Sequence, residues 1–163
     1  MSINIKAFVL TVSDTRRIED DESGNKLVEL LTSEGADVVG RRTVTDDLFQ
    51  VRDLLLSLTD WEDIDLILTT GGTGFGPRDN TPEATLAVIE REAPGIAEAM
   101  RRETASKTPM AMLSRGVAGI RGETLIINLP GSPKAVAECF EVIRPVLRHA
   151  VDLVSGQGAH VPK

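Results

Sequence analysis

The run IDLILTT (64–70), joined without a spacer to GGTGFGPRDN (71–80), constrains the fold more than any other stretch. A continuous apolar run of this length with β-branched residues reads as a fully buried strand. The adjoining loop has glycines at 71, 72, 74 and 76, and Thr81-Pro82-Glu83 then reads as the N-cap, first-turn proline and first-turn acid of a helix through Leu86, Val88 and Ile89. A buried strand that gives way to a glycine loop and then a helix N-terminus is one half of a β-to-α crossover.

The same alternation extends along the chain. KAFVLTV (6–12) predicts a first strand ending at Ser13-Asp14. NKLVELLTSEG, with Leu27, Val28, Leu30 and Leu31 on one side and Gly35 as the stop, predicts a helix. ADVVGRRTV (36–44) is strand-like, and Asp46-Asp47 opens a second helix with Val51, Leu54, Leu55 and Leu58 on one face. Pro94-Gly95 breaks the helix after the glycine loop, and IAEAMRRETA resumes a helical pattern. GVAGI (116–120) and TLIINL (124–129) predict two strands joined by a tight turn. PGSPK (130–134) leads into a long last helix, in which Pro145 predicts a kink.

Short loops between alternating strands and helices predict a three-layer α/β/α, doubly wound domain whose sheet is mostly parallel with a small β-hairpin. The 163 residues form one domain in this reading, long enough to bury roughly 68–70% of the unfolded surface, with 156–163 (GQGAHVPK) as a loose tail. The single Cys139 excludes a disulfide framework and a thiolate zinc site. The N-terminus lacks a signal-peptide pattern, and no apolar run reaches membrane-spanning length, so a cytoplasmic protein with no membrane contact is expected. A net charge of −7 with 3% aromatics argues against a nucleic-acid binder. Any phosphate must therefore be held locally.

In open α/β sheets ligands bind outside the carboxyl ends of the strands. Glycines there let main-chain N–H groups approach an anion, and the helix starting near Pro82 adds its positive end. The alternative is a strand-to-helix turn that only needs flexible backbone. No common fingerprint matches: Gly76 is followed by Pro77-Arg78 rather than Lys-Ser/Thr, and the third glycine of a dinucleotide motif falls on Pro77. The loops TVSD (11–14) and NLPGSPKA (128–135) hold similar positions after other strands and would complete a polar groove. Asp46 and Asp79 would repel an anion unless a divalent cation lay between, and Mg²⁺ binds through one or two carboxylates plus substrate phosphates. Metal-assisted phosphoryl or nucleotidyl transfer is the chemistry this implies. The competing reading is helix capping, worth about 1 kcal/mol for Asp46 or Asp47. Arg78, tied to the glycine loop, is kept as a ligand-binding candidate, whereas His149 and His160 lack any metal or triad setting.

TVSD, LILTTGGTGFGPRDNTPEAT, AMLSRGVAGIRG and TLIINLPGSPKAVAECF, in this order, resemble the molybdenum cofactor biosynthesis family. It includes the bacterial MogA and MoaB proteins and the G domains of plant and animal proteins, and DTRRIEDDESG looks more like MoaB. The resemblance implies a homotrimer or homohexamer that adenylylates molybdopterin with Mg²⁺ and ATP, releasing pyrophosphate, with a metal-insertion protein as possible partner. A non-catalytic pterin-binding or scaffold paralogue is the alternative. By matching motif, Asp46 and Asp79 would be the catalytic, metal-holding acids, although VTDD leaves Asp47 open beside Asp46. Ser13, Asp14, Thr70, Gly71, Gly72, Thr73, Gly74, Arg78, Thr104, Ser114, Pro130, Gly131 and Ser132 would bind substrate and nucleotide, with Thr104 standing where serine is expected.

Overall fold

A computed structural model of the chain describes residues 4–60 and 63–158. Six strands, β1 (Lys6–Val12), β2 (Asp37–Val44), β3 (Leu66–Thr70), β4 (Arg91–Glu92), β5 (Ala118–Arg121) and β6 (Thr124–Leu129), form one sheet in the order β2-β1-β3-β6-β5-β4. The first four in that order run parallel; β5 and β4 are antiparallel to their neighbours. β5 and β6 are the expected hairpin, turning through Gly122 at φ +57°.

Helices cover both faces, and the core divides accordingly. On one face α1 (Glu22–Ser33), α4 (Pro94–Thr104) and α5 (Pro133–Val154) bury Leu27, Leu31, Met100, Val136, Phe140 and Leu147 against Ala7, Val9, Leu66, Leu68, Leu125 and Ile127. On the other, α2 (Leu48–Thr59) and α3 (Thr81–Leu86) bury Val51, Leu55, Leu58 and Ala84 against Phe8, Leu10, Val12, Ile67 and Ile126. Consecutive residues of β1, β3 and β6 thus enter opposite cores, which is why those strands read as unbroken apolar runs. Phe140 is fully buried, and its truncation to alanine would cost about 3–5 kcal/mol. α5 runs on through Pro145, and among the described residues no helix is long and apolar enough to cross a membrane.

β1 leads by α1 to β2 on one side, while β2 leads by α2 past β1 to β3 on the other. The winding therefore reverses between β1 and β3, and their carboxyl ends flank the crevice that such a reversal opens.

Four expectations need correction. The helix after the glycine loop stops at Leu86 rather than reaching Val88 and Ile89, because Glu90 N–H pairs with Ile120 O and Arg91–Glu92 extend the sheet as β4. Thr81 does not cap α3; its hydroxyl donates to Gly71 O at 2.9 Å, and Asn80 stands before the helix without a side-chain cap. Pro94-Gly95 starts α4, with Pro94 in its first turn, where its missing N–H is harmless. Of the expected tail, Gly156 takes φ +74° and Gly158 N–H returns to Asp152 O at 2.9 Å, so 156–158 close α5; 159–163 lie outside the described residues.

Candidate functional site

The glycine loop leaves β3 through two left-handed glycines, Gly71 at φ +96° and Gly72 at φ +68°. A Cβ on Gly71 would lie 2.3 Å from Val12 O, and one on Gly72 would lie 2.3 Å from the Thr81 hydroxyl and 3.1 Å from Asp46 Oδ1. Here glycine is demanded by backbone conformation and by close approach together.

The carbonyls of Gly71, Gly72, Thr73 and Gly74 are all taken from behind. Gly71 O accepts from the Thr81 hydroxyl (2.9 Å), Gly72 O from Thr81 N–H (3.1 Å), Thr73 O from Arg115 N–H (2.8 Å) and Gly74 O from Arg115 Nε (2.8 Å). In a planar trans peptide the next residue's N–H points opposite to the carbonyl. Among the described residues nothing accepts from the N–H groups of Gly72, Thr73, Gly74 or Phe75. Four consecutive donors without a partner among the described residues are what an anion cradle requires. α3, at six residues, is too short to lend it much dipole.

Acids border the cradle. Asp79 Oδ2 accepts from Gly76 N–H at 2.8 Å and lies 2.9 Å from where a Cβ of Gly74 would be. Asp46 and Asp14 are reciprocally bonded, Asp14 N–H to Asp46 Oδ2 at 2.8 Å and Asp46 N–H to Asp14 Oδ1 at 3.1 Å. Asn80 donates to Asp46 O at 3.0 Å, linking the two acidic loops. Arg78 grips Asp14 with both prongs, Nε to Oδ2 at 2.7 Å and Nη2 to Oδ1 at 2.9 Å.

That grip holds the Asp14 carboxyl below its usual range, helped by the Asp46 N–H. Asp46 moves the other way: burial comes first, and the nearby negative charges of Asp14 and Asp79 add to it. No hydrogen bond from a described residue reaches Oδ1 of Asp46 or of Asp79. Asp47, the other half of the ambiguous pair, caps α2 by accepting from Gln50 N–H at 2.9 Å. Capping thus belongs to Asp47, leaving Asp46 turned to the crevice.

Thr70 and the 130–132 loop form the neighbouring wall. The Thr70 hydroxyl donates to Pro130 O at 2.7 Å, and Gly131 O accepts from Ser23 Oγ (2.6 Å) and Arg16 (3.0 Å). Ser13 Oγ accepts from the N–H groups of Thr15 and Arg16, and Ser132 Oγ caps α5 through Ala135 N–H at 3.2 Å. Both hydroxyls therefore shape their own loops.

Thr104 and Ser114 are not in this cluster. They line a separate pocket of about 160 Å³ between α4, the turn Pro109–Leu113 and α5, with Met100, Met110, Ala111, Asn128 and Cys139 among its walls. Pro130 lines it as well, so the two sites share one wall. Thr104 donates to Met100 O at 2.6 Å, while burial pushes the Cys139 thiol up to about 11.

Sequence reasoning missed three residues. Arg115 binds Gly74 of the loop across 41 positions of chain and carried no local signal. Arg101 donates to Ser114 O (3.2 Å) and Gly116 O (2.8 Å), fixing the pocket's rim. Asn128, 2% exposed, donates to the hydroxyls of Thr69 and Thr85, both at 3.0 Å, and accepts from Val117 N–H. An asparagine inside the apolar TLIINL strand was the one available warning.

The family model described as "Probable molybdopterin binding domain" matches residues 8–149. The chain belongs to that family. Among its relatives, the molybdopterin adenylyltransferase of Helicobacter pylori (strain ATCC 700392 / 26695) is 40% identical over 152 residues, covering 91% of this chain and 86% of its own. The molybdenum cofactor synthesis protein cinnamon of Drosophila melanogaster is 45% identical over 95% of this chain, which spans only 26% of that longer protein. The crystal structure of the molybdopterin biosynthesis enzyme MoaB from Thermus thermophilus superposes with a TM-score of 0.86 at 47% identity, covering 93% of this chain and 97% of that one. The α/β fold of the family and this one coincide, and its relatives make molybdenum cofactor synthesis the setting in which the site is to be read.

Proposed function

We propose that the chain is a molybdopterin adenylyltransferase using Mg-ATP. The observation that carries this reading is the run of four unpartnered N–H groups at 72–75 beside two carboxylates, Asp46 and Asp79, each with an oxygen that no described residue bonds. The terminal phosphate oxygen of molybdopterin attacks the α-phosphorus of ATP, the α–β anhydride bond breaks, and pyrophosphate leaves with the displaced electron pair.

The cradle donors would bind phosphate oxygens on which negative charge builds, at the crevice between β1 and β3. Arg78, whose guanidinium among the described residues is held only by Asp14, is available to a phosphate. The donor chemistry fits a magnesium ion. Asp46 is held up first by burial and then by the charges of Asp14 and Asp79, a repulsion that a cation relieves, and hard carboxylate oxygens are its preferred ligands. Among the described residues no three His, Cys, Asp or Glu side chains gather to cage a metal, which suits an ion that takes its remaining ligands from phosphate and water. Asp46 and Asp79 would hold it, and when bound it supplies charge neutralisation to the triphosphate. The pocket at Thr104 and Ser114 would take a planar ring, with Pro130 between ring and phosphates.

Incubating the purified protein with molybdopterin, ATP and Mg²⁺ should release pyrophosphate and form adenylylated pterin. Asp79→Asn should leave thermal melting unchanged and lower that rate on the order of a hundredfold or more; a variant as fast as the parent sinks the role. A second reading, a pterin-binding module without activity, draws on the Drosophila relative, in which a stretch like this chain is about a quarter of a longer protein. It predicts pterin binding with no pyrophosphate. Cytoplasmic location and assembly into three or six copies belong to the same proposal, and mass photometry reads the copy number.

A further inference from the structure

Arg115 is engaged on every side. Its N–H goes to Thr73 O (2.8 Å), Nε to Gly74 O (2.8 Å), Nη2 to Asp79 O (2.7 Å), and Nη1 meets the Glu83 carboxylate. The contact with Glu83 is the main cause of that carboxyl's lowered pKa. With its fork committed to three protein groups, Arg115 is poorly placed to clamp a phosphate, unlike Arg78, which among the described residues has only Asp14 to leave.

Its effect must then pass through the loop. A guanidinium that gathers the carbonyls of Gly74 and Asp79 on one side, next to a main-chain N–H that holds Thr73 O, turns the N–H groups of Phe75 and Asn80 toward the other. We propose that Arg115 is a positioning residue: its side chain sets the Gly74–Phe75 peptide plane of the glycine loop so that the Phe75 donor faces the bound polyphosphate, without touching that ligand. The same span sets where Asp79 sits, so one side chain aligns donors and acid together. The identity of the ligand rests on the adenylyl-transfer reading above; the geometry does not.

The test uses the whole chain and two probes, inorganic pyrophosphate and Mg-ATP, titrated by calorimetry, alongside kcat and KM in the pyrophosphate-release assay. Arg115→Ala should weaken both probes about 10- to 100-fold and lower kcat by a similar factor, the scale expected of ångström-sized misplacement. Arg115→Lys, a single point charge in place of a fork, should recover only a small part, and added ethylguanidine should restore Arg115→Ala partially. Removal of Arg115 also leaves the Glu83 charge uncompensated near the cradle. The double variant Arg115→Ala/Glu83→Ala separates the two effects: positioning predicts continued loss, whereas full recovery of pyrophosphate binding overturns the inference. Should Arg115→Ala not fold, Arg115→Lys decides, and wild-type binding and kcat in that variant overturn the inference. A parent protein that binds both probes but forms no adenylylated pterin would sink the adenylyl-transfer reading alone, with the binding series still testing Arg115. An active parent matched by Arg115→Ala would sink the positioning role alone.

Discussion

The glycine-loop site and the α4–α5 pocket, which has Pro130 as a wall, are built on different principles. On the β1–β3 side the surface is polar and its shape comes from hydrogen bonds: Thr81 and Arg115 hold the glycine-loop carbonyls, and Asp14, Asp46 and Arg78 hold one another. On the α4–α5 side Met100, Met110, Ala97, Ala111, Ala135 and Cys139 make much of the wall, and its shape comes largely from helix packing, with Arg101 bonded at the rim. A polar site built on loops can be re-aimed by one lost bond, whereas an apolar one yields mainly to changes of volume. The charged half suits phosphate chemistry and the apolar half suits holding a ring.

The largest test of that contrast lies in the acids. Beyond the Asp79→Asn experiment, Asp46→Asn should also lower adenylylation on the order of a hundredfold while binding of the pterin alone is kept. Loss of pterin binding in that variant would dissolve the division between halves. Next in size, Gly71→Ala forces a Cβ against Val12 O from a left-handed backbone, at a cost of about 2–4 kcal/mol, readable as an earlier midpoint in chemical unfolding. Filling the apolar half with Ala111→Phe should weaken pterin binding about tenfold and leave Mg-ATP binding unchanged in calorimetry.

Smaller effects come from titration. The folded pKa of Asp46 lies above its unfolded value, so its share of stability is complete below the ordinary carboxylate range and is lost as pH rises through the folded value. Asp14 behaves oppositely: its share is complete above that range and is lost as pH falls through its lowered value. Asp46→Asn should therefore melt higher than the parent at neutral pH, with the advantage vanishing in acid. The Cys139 thiol, pushed up to about 11, should resist iodoacetamide in the folded protein at neutral pH and react only after unfolding.

Much of this architecture could be read from residue order. β1, β3 and β6 announced themselves because each enters two cores, and the glycine loop because such backbone is needed only where chains approach closely. α3 was over-extended because β4 forms by pairing with β5, a distant partner that no local pattern encodes. Asp46 and Asp47 are interchangeable as letters, and only the Gln50 N–H and the Asp14 N–H tell them apart. Arg115 and Asn128 act across distant segments, so their partners could not be named before the chain was folded.

The crevice is stitched from sequence-distant pieces: Ser23 and Arg16 fasten the 130–132 loop, and Thr70 fastens it again. A gene divided between α2 and β3 would give two polypeptides, each carrying an incomplete mouth.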